Sequence, residues 1–211
     1  MIDVYAFATP NSIKVPIALE EAGLAYTLRS INVRAGEQKQ PEFLAINPNA
    51  KVPVLVDPDG PDGHEIVLTE SAAILVYIAE KSGTLLPTSG IERARVFEQL
   101  FFHASGLSPA FGQAGYFQKF APEPLPHAID RFLGEANRLA DLLDTRLAAQ
   151  AFVAGERLTI ADIVHYGWFW RRAFVGIDFA NRPHLARWFD RLAARPTFQR
   201  AEQRLNALVP A

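Results

Sequence analysis

The sequence predicts an α/β module followed by an all-helical domain, and three observations carry that expectation. Over the first 80 or so residues, short β-branched and apolar runs alternate with helical spacings in the order βαβαββα. After "SGTLLPTSG", residues 82–90, a connector of small and turn-forming residues, strand signals vanish. In residues 125–149, Ile129, Phe132, Leu133, Ala136, Leu139, Leu143 and Leu147 recur at three- and four-residue steps with charges between them, the stripe of a bundle helix. The expected division is residues 1–83, a linker at 84–90, and helices over 91–211.

Each element has its own signal. Ile2 to Phe7 reads as a strand, and Val15, Ile17, Ala18, Leu19 and Ala22 follow at helical spacing until Gly23 stops them. "YTLRSINV" (26–33) is a second strand, and after a polar loop "PEFLAI" turns helical. "VPVLV" (52–56) and "HEIVL" (64–68) flank "DPDGPDG", whose proline, glycine and aspartate content demands a turn, so they form an antiparallel hairpin. From Glu70 the run "ESAAILVYIAEKSG" is helical and ends at Gly83. In "RLTIADIV", Thr159 caps a helix start, Asp162 returns the bond and Leu158 packs on Ile163; this is a folding device and not a site.

Composition narrows the chemistry. With 49% hydrophobic and 21% charged residues the chain is of ordinary globular type. A formal net charge of −2 without a basic run gives no reason to expect nucleic acid or an anionic membrane as partner. The N-terminal residues lack a charged segment followed by a long apolar stretch, so no signal peptide or membrane span is expected, and the expected location is cytoplasmic. There is no cysteine, so disulfides, thiolate metal sites and a protein-borne thiol nucleophile are excluded. His64, His103, His127, His165 and His184 show no ligand spacing, and no metal is expected.

"ATPN" at the first turn, "NPNAKVPVLV" in the middle, "TESAAILVYIAEK" after it, then "LTIADI" and the closing "RPHLARWFDRLAARPTFQRA" stand in an order and spacing that resemble the cytosolic glutathione transferases over the full length. Within that family "TPN", "GEQKQPEFLAINPN" and "AIDRF" look most like the nu-class enzymes, relatives of bacterial glutathione-dependent disulfide reductases. The resemblance implies a thioredoxin-like N-terminal domain, glutathione as co-substrate, a homodimer, and a small disulfide or electrophile as second substrate.

It also implies a site. An X-Pro bond just before a strand tolerates the cis form, and at Val52-Pro53 it would turn the Val52 backbone outward to pair with the cysteine of glutathione; a plain strand-starting proline is the alternative. Glu70 and Ser71 open a helix whose free N–H groups attract a carboxylate, so Ser71 would hold the γ-glutamyl carboxylate and Glu70 the α-ammonium, or both merely cap the helix. Gln38 and Lys51 would lie beside the tripeptide, Gln38 donating to it and Lys51 near a carboxylate. Arg131 would face the cleft and bind the carboxylate of a second glutathione, or pair with Glu135 four residues on. The aromatic "FGQAGYFQKF" lines a second pocket or is simply packed.

The sulfur is the hard part. The serine of theta- and delta-like transferases is Ala8 here, and the cysteine of omega-like and glutaredoxin-like proteins is Thr9. Thr9 and Asn11 match the nu-class pattern and are the expected catalytic pair, with Ser12 a rival hydroxyl and a simple helix start the alternative for all three. Neither Thr9 nor Asn11 is a base at neutral pH, but each carries a donor for a sulfur anion. Lowering a free thiol from about 8.5 by about two units requires about 2.7 kcal/mol. One bond to a charged group gives about 1.5 to 3 kcal/mol and a helix N-terminus about 0.3 to 1, so two donors at that terminus suffice. The implied activity is thiol–disulfide exchange, ahead of conjugation to small apolar electrophiles and of a non-catalytic binding or regulatory role.

Overall fold

The structure, a computed structural model, describes residues 1–210. Two compact units emerge: Met1–Leu86 with the segment from Ala194 onward, and Pro87–Ala193.

The first unit is built on a four-stranded sheet of β1 (Ile2–Ala6), β2 (Tyr26–Ser30), β3 (Val54–Asp57) and β4 (Ile66–Leu68), in spatial order β2-β1-β3-β4. β1 and β2 run parallel, with Val4 opposite Leu28, whereas β1–β3 and β3–β4 are antiparallel, with Leu55 opposite Leu68. This is the thioredoxin-like arrangement that the resemblance implies. Ile2, Val4 and Ala6 are buried while Asp3 and Tyr5 between them are not fully so, the alternation of a sheet with one face in the core. Between β1 and β2 runs α1 (Lys14–Ala22), whose Val15, Ile17, Ala18 and Leu19 are entirely out of water. Burying each such side chain contributes about 1.5–3 kcal/mol. Gly23 ends the helix with φ 67°, a left-handed turn that favours glycine, as its position in the sequence predicts.

Several expected elements come out shorter: the first strand ends at Ala6, and β3 and β4 begin at Val54 and Ile66, two residues later than the sequence predicts. The second strand stops at Ser30 because Asn32 draws the backbone N–H groups of Arg34 (3.1 Å) and Ala35 (3.3 Å) to its side-chain oxygen and starts a turn. "PEFLAI" forms a single helical turn, α2 (Pro41–Leu44), with Phe43 its one buried anchor. The helix after the hairpin, α3 (Ser71–Ser82), is tied to β3 through the buried Asp57, which accepts from Tyr77 Oη at 2.6 Å and pairs with Lys81 at 3.0 Å. Burial pushes the Asp57 carboxyl up, but the bonds from Tyr77, the Asp59 N–H and Lys81 more than offset this and hold it below its ordinary value.

The segment from Ala194 onward groups with the sheet, whereas the sequence division places it among the helices of 91–211. The reason is electrostatic as well as apolar. The last helix, α10 (Pro196–Asn206), buries Phe198, Ala201 and Leu205 and packs along α1. Arg195 forks onto Glu21 with two 2.7 Å bonds, and Thr197 also bonds Glu21. Arg200 (3.0 Å) and Arg204 (3.2 Å) share Glu20.

The second unit is helical. It contains α4 (Gly90–Phe102), a π turn at His103–Leu107, α5 (Ser108–Lys119), α6 (Pro126–Ala148), α7 (Ile160–Trp170), α8 (Arg172–Val175) and α9 (Pro183–Ala193). The stripe read from the sequence places Ala136, Leu139, Leu143 and Leu147 in the core, and α6 packs against α5 and α9. α7 is buried on every side from Ile160 to Phe169, as a helix apolar all round must be. Its expected capping box is present: Asp162 accepts from Thr159 N–H at 3.0 Å, and further from Val153 N–H and Trp188 Nε1 at 2.9 Å each. Burial pushes the Asp162 carboxyl up to about 6, against the pull of those bonds. At Gly115 of α5 a Cβ would sit 2.0 Å from the Phe174 ring, so only glycine lets that ring approach.

The Glu21 side chain is 8% exposed, so removing its fork leaves a largely buried carboxylate without its main partner. Arg195→Met should cost about 1–2 kcal/mol, discounted for the partly exposed guanidinium. Burial acts to raise the Glu21 carboxyl, and the Arg195 and Thr197 bonds bring it below normal, so this stability is present above the ordinary carboxylate range and is lost as pH falls through the depressed value. Denaturant unfolding should therefore show a gap between wild type and variant at pH 7 that closes towards pH 3.

Candidate functional site

A turn leads from β1 into α1, and the sequence-predicted catalytic residues lie in it. The Ile13 N–H bonds the Thr9 carbonyl at 3.2 Å, but regular α-helix begins only at Lys14. Thr9 closes this turn without capping α1 itself, whose N-cap Ile13 has no side-chain bond: the Thr9 Oγ1 accepts the Ser12 N–H at 3.1 Å and donates to Ser12 Oγ at 2.9 Å. Its proton reaches another acceptor only by swinging away from Ser12. Ser12 itself is fully buried, which removes the rival hydroxyl from direct contact with solvent.

Asn11 is held from behind by a residue that sequence reading passed over. Lys14 is fully buried, and its Nζ donates to Asn11 Oδ1 at 2.7 Å and to Ser71 Oγ at 3.2 Å. Burial pushes the ammonium down from 10.5 to about 7, while the Glu70 carboxylate pulls it back up. An ammonium has donors only, so the Asn11 oxygen is the atom that faces it and the Nδ2 hydrogens remain for a ligand. By the same logic Ser71 accepts from Lys14 and keeps its own O–H to give. Lys14 was legible in one respect. It is the single polar residue in "IKVPIAL", a run with no polar face for it to snorkel to.

Ser71 is the first residue of α3, and Glu70 precedes it with φ 64° and ψ 108°, a conformation rare for any residue but glycine. Asn11, Lys14 and Ser71 are thus joined by hydrogen bonds, with Glu70 within electrostatic reach of Lys14. The Val52-Pro53 bond is cis, the first of its two readings. The loop before it is organised by Asn47, a buried residue absent from the expected set: its Nδ2 donates to the Lys51 carbonyl at 2.6 Å and its Oδ1 accepts the Asn49 N–H at 3.0 Å. The Lys51 side chain is exposed, as the surface-charge alternative has it. Gln38 sits in a one-turn 3-10 segment, Glu37–Lys39, and its Oε1 is buried with no hydrogen-bond partner among the described residues.

Arg131 lies in the second unit, exposed on α6. Glu135 takes Arg138 as its forked partner, at 2.8 Å twice, and the Arg131 read from the spacing acts on it only electrostatically, helping to hold its carboxyl below the ordinary value. The "FGQAGYFQKF" stretch is mixed. Phe111 is buried against Trp168 and Phe169 and Phe117 stacks on Phe132 at 5.4 Å, whereas Tyr116 and Phe120 are exposed. His103 and His165 meet in the core, Nδ1 to Nδ1 at 3.3 Å, so one ring donates and the other accepts. Among the described residues no group of three or more His, Cys, Asp or Glu is placed to hold a metal ion, and no helix is long and apolar enough to cross a membrane.

The family models described as glutathione S-transferase N-terminal domain and C-terminal domain match residues 8–81 and 107–196. Disulfide-bond oxidoreductase YfcG of Escherichia coli (strain K12) is 42% identical over 199 residues, spanning 93% of this chain and 92% of that protein. Disulfide-bond oxidoreductase YghU of the same strain is 36% identical over 94% of this chain and 73% of its own length. Among solved structures, a glutathione transferase family member from Pseudomonas fluorescens pf-5 with two glutathione bound matches at TM-score 0.89 and 38% identity, covering 95% of this chain and 92% of that one. A glutathione transferase from Pseudomonas putida with one glutathione disulfide bound per subunit matches at TM-score 0.88 and 35% identity, over 96% and 90%. By these matches, over both of its units, the chain belongs to the glutathione S-transferase family.

Proposed function

We propose that this protein is a glutathione-dependent thiol–disulfide oxidoreductase in which the reacting sulfur belongs to bound glutathione. The observation that carries the reading is the pairing of a cysteine-free chain with an Asn11 whose oxygen is taken by Lys14, so that its amide offers donors to a sulfur anion. The names of the two Escherichia coli relatives and the glutathione disulfide in the Pseudomonas putida protein support the same chemistry.

In the reaction the thiolate of the first glutathione attacks one sulfur of a small disulfide, forming a mixed disulfide and expelling a thiolate that takes up a proton. A second glutathione thiolate then attacks the glutathionyl sulfur, releasing the other half of the substrate as a thiol and leaving oxidised glutathione. Two glutathiones are oxidised and one disulfide is reduced to two thiols. Asn11 Nδ2 is the main donor to the first thiolate, and Thr9 adds its O–H on turning from Ser12. Ser71 and the N–H groups at the head of α3 take the γ-glutamyl carboxylate, with Glu70 for the α-ammonium. Val52 offers backbone to the cysteinyl unit, and Gln38, Lys51 and, for a second glutathione, Arg131 complete the set. Membership of the nu class, a cytoplasmic location and a homodimer belong to the same reading.

Conjugation to an apolar electrophile uses the same thiolate and is favoured by the exposed Tyr116 and Phe120 alone. A coupled assay with a small disulfide, run beside aryl halide conjugation, should give turnover with the disulfide and little with the halide; the reverse order overturns the assignment. Asn11→Ala should raise the pH at which bound thiol ionises by about one unit or more, the worth of one bond to a charged acceptor, with glutathione affinity largely kept. Thr9→Ala should raise it less, since its hydroxyl must first leave Ser12. Ultraviolet thiolate absorbance across pH reads both.

A further inference from the structure

A lysine taken wholly out of water is costly, and Lys14 is 0% exposed in a helix whose neighbours Ile13, Val15, Ile17 and Leu19 are apolar and equally buried. Packing does not call for it, because a methionine fills the same space. What the ammonium does is join two elements far apart in the chain, the turn that carries Asn11 (2.7 Å) and the head of the helix that carries Ser71 (3.2 Å). Both are neutral groups whose orientation is otherwise free: a carboxamide can flip end for end and a hydroxyl can rotate.

We propose that Lys14 is the positioning residue of this site, its buried ammonium fixing the Asn11 carboxamide and the Ser71 hydroxyl so that both present donors to glutathione. The inference rests on the glutathione reading above and adds a residue to it. Lys14 touches no substrate atom; it acts through the two side chains it holds, and its charge lies one side chain behind each anion of the ligand. One cation thereby serves the thiolate end through Asn11 and the carboxylate end through Ser71. Of the charged groups around it, Glu70 at the head of α3 sustains the ammonium, while Arg195, Arg200 and Arg204 beside α1 are committed to Glu20 and Glu21. Burial that brings the Lys14 ammonium down to about 7 makes its charge responsive to anions, and a bound anion must raise it again.

The test compares wild type, Lys14→Met, Asn11→Ala, Ser71→Ala and the Lys14→Met/Asn11→Ala double variant, each titrated with glutathione by calorimetry and by thiolate absorbance across pH. Asn11→Ala should move the thiol midpoint alone and Ser71→Ala the affinity alone. Lys14→Met should move both, raising the midpoint by about one unit and weakening affinity about tenfold, and the double variant should show a midpoint no higher than the larger single effect. A folded Lys14→Met with wild-type midpoint and affinity, whatever its melting temperature, overturns the proposal. If that variant does not fold, the Lys14 Nζ resonance of isotopically labelled wild type decides: its titration midpoint should rise on adding glutathione, and an unmoved midpoint overturns the proposal. Wild type that binds no glutathione, or whose bound thiol titrates as in free solution, ends the glutathione reading itself, an outcome distinct from a Lys14 variant that behaves as wild type.

Discussion

A charged amine enclosed in a protein must find polar partners where it sits, and the hydrogen bonds of Lys14 to Asn11 and Ser71 are the constraint on which the organisation of this site depends. The turn before α1 and the start of α3 cannot be placed independently, since each supplies an acceptor to the same ammonium. The scaffold around them is correspondingly fixed: α3 is tied to β3 through Asp57, and the C-terminal end of α1 is clamped through Glu20 and Glu21 by arginines in and just before α10. The strained backbone of Glu70 falls at the junction, where a surrounding network can maintain a conformation that a free chain would leave.

The chemistry follows from what the chain lacks. Without a cysteine, the only thiol available is one carried in by a substrate, and the protein can act on it only by changing its ionisation and its position. Uncharged donors suit that task. A lysine in direct contact would form an ion pair with the thiolate, whereas a lysine one side chain removed orients the donor and leaves the sulfur in hydrogen-bonding surroundings where it remains a competent nucleophile.

Much of the fold was legible because its signals are local and periodic: the stripe of α6, the glycine stop of α1, the capping box of α7 and the turn-rich hairpin all appear where the sequence places them. The departures are tertiary. "PEFLAI" shrinks to one turn because only Phe43 has a core to enter, and the chain after Ala194 joins the first unit because Glu20 and Glu21, two ordinary-looking acids at the end of α1, meet arginines some 175 residues on. The family pattern proposes Thr9, Asn11, Glu70 and Ser71 for the candidate site, but not their hydrogen bonds. Thr9 proves to be engaged with Ser12, and Lys14 resembles a solvated charge at a helix start until the structure shows its side chain fully buried.

The central claim is that a borrowed thiolate is held by Asn11 with Lys14 behind it, and a crystal structure with glutathione bound tests it most directly. The account predicts the glutathione sulfur within hydrogen-bond distance of Asn11 Nδ2, with the Asn11 oxygen still on Lys14 and the γ-glutamyl carboxylate on Ser71. A sulfur directed into bulk solvent, or an Asn11 carboxamide released from Lys14, would contradict it.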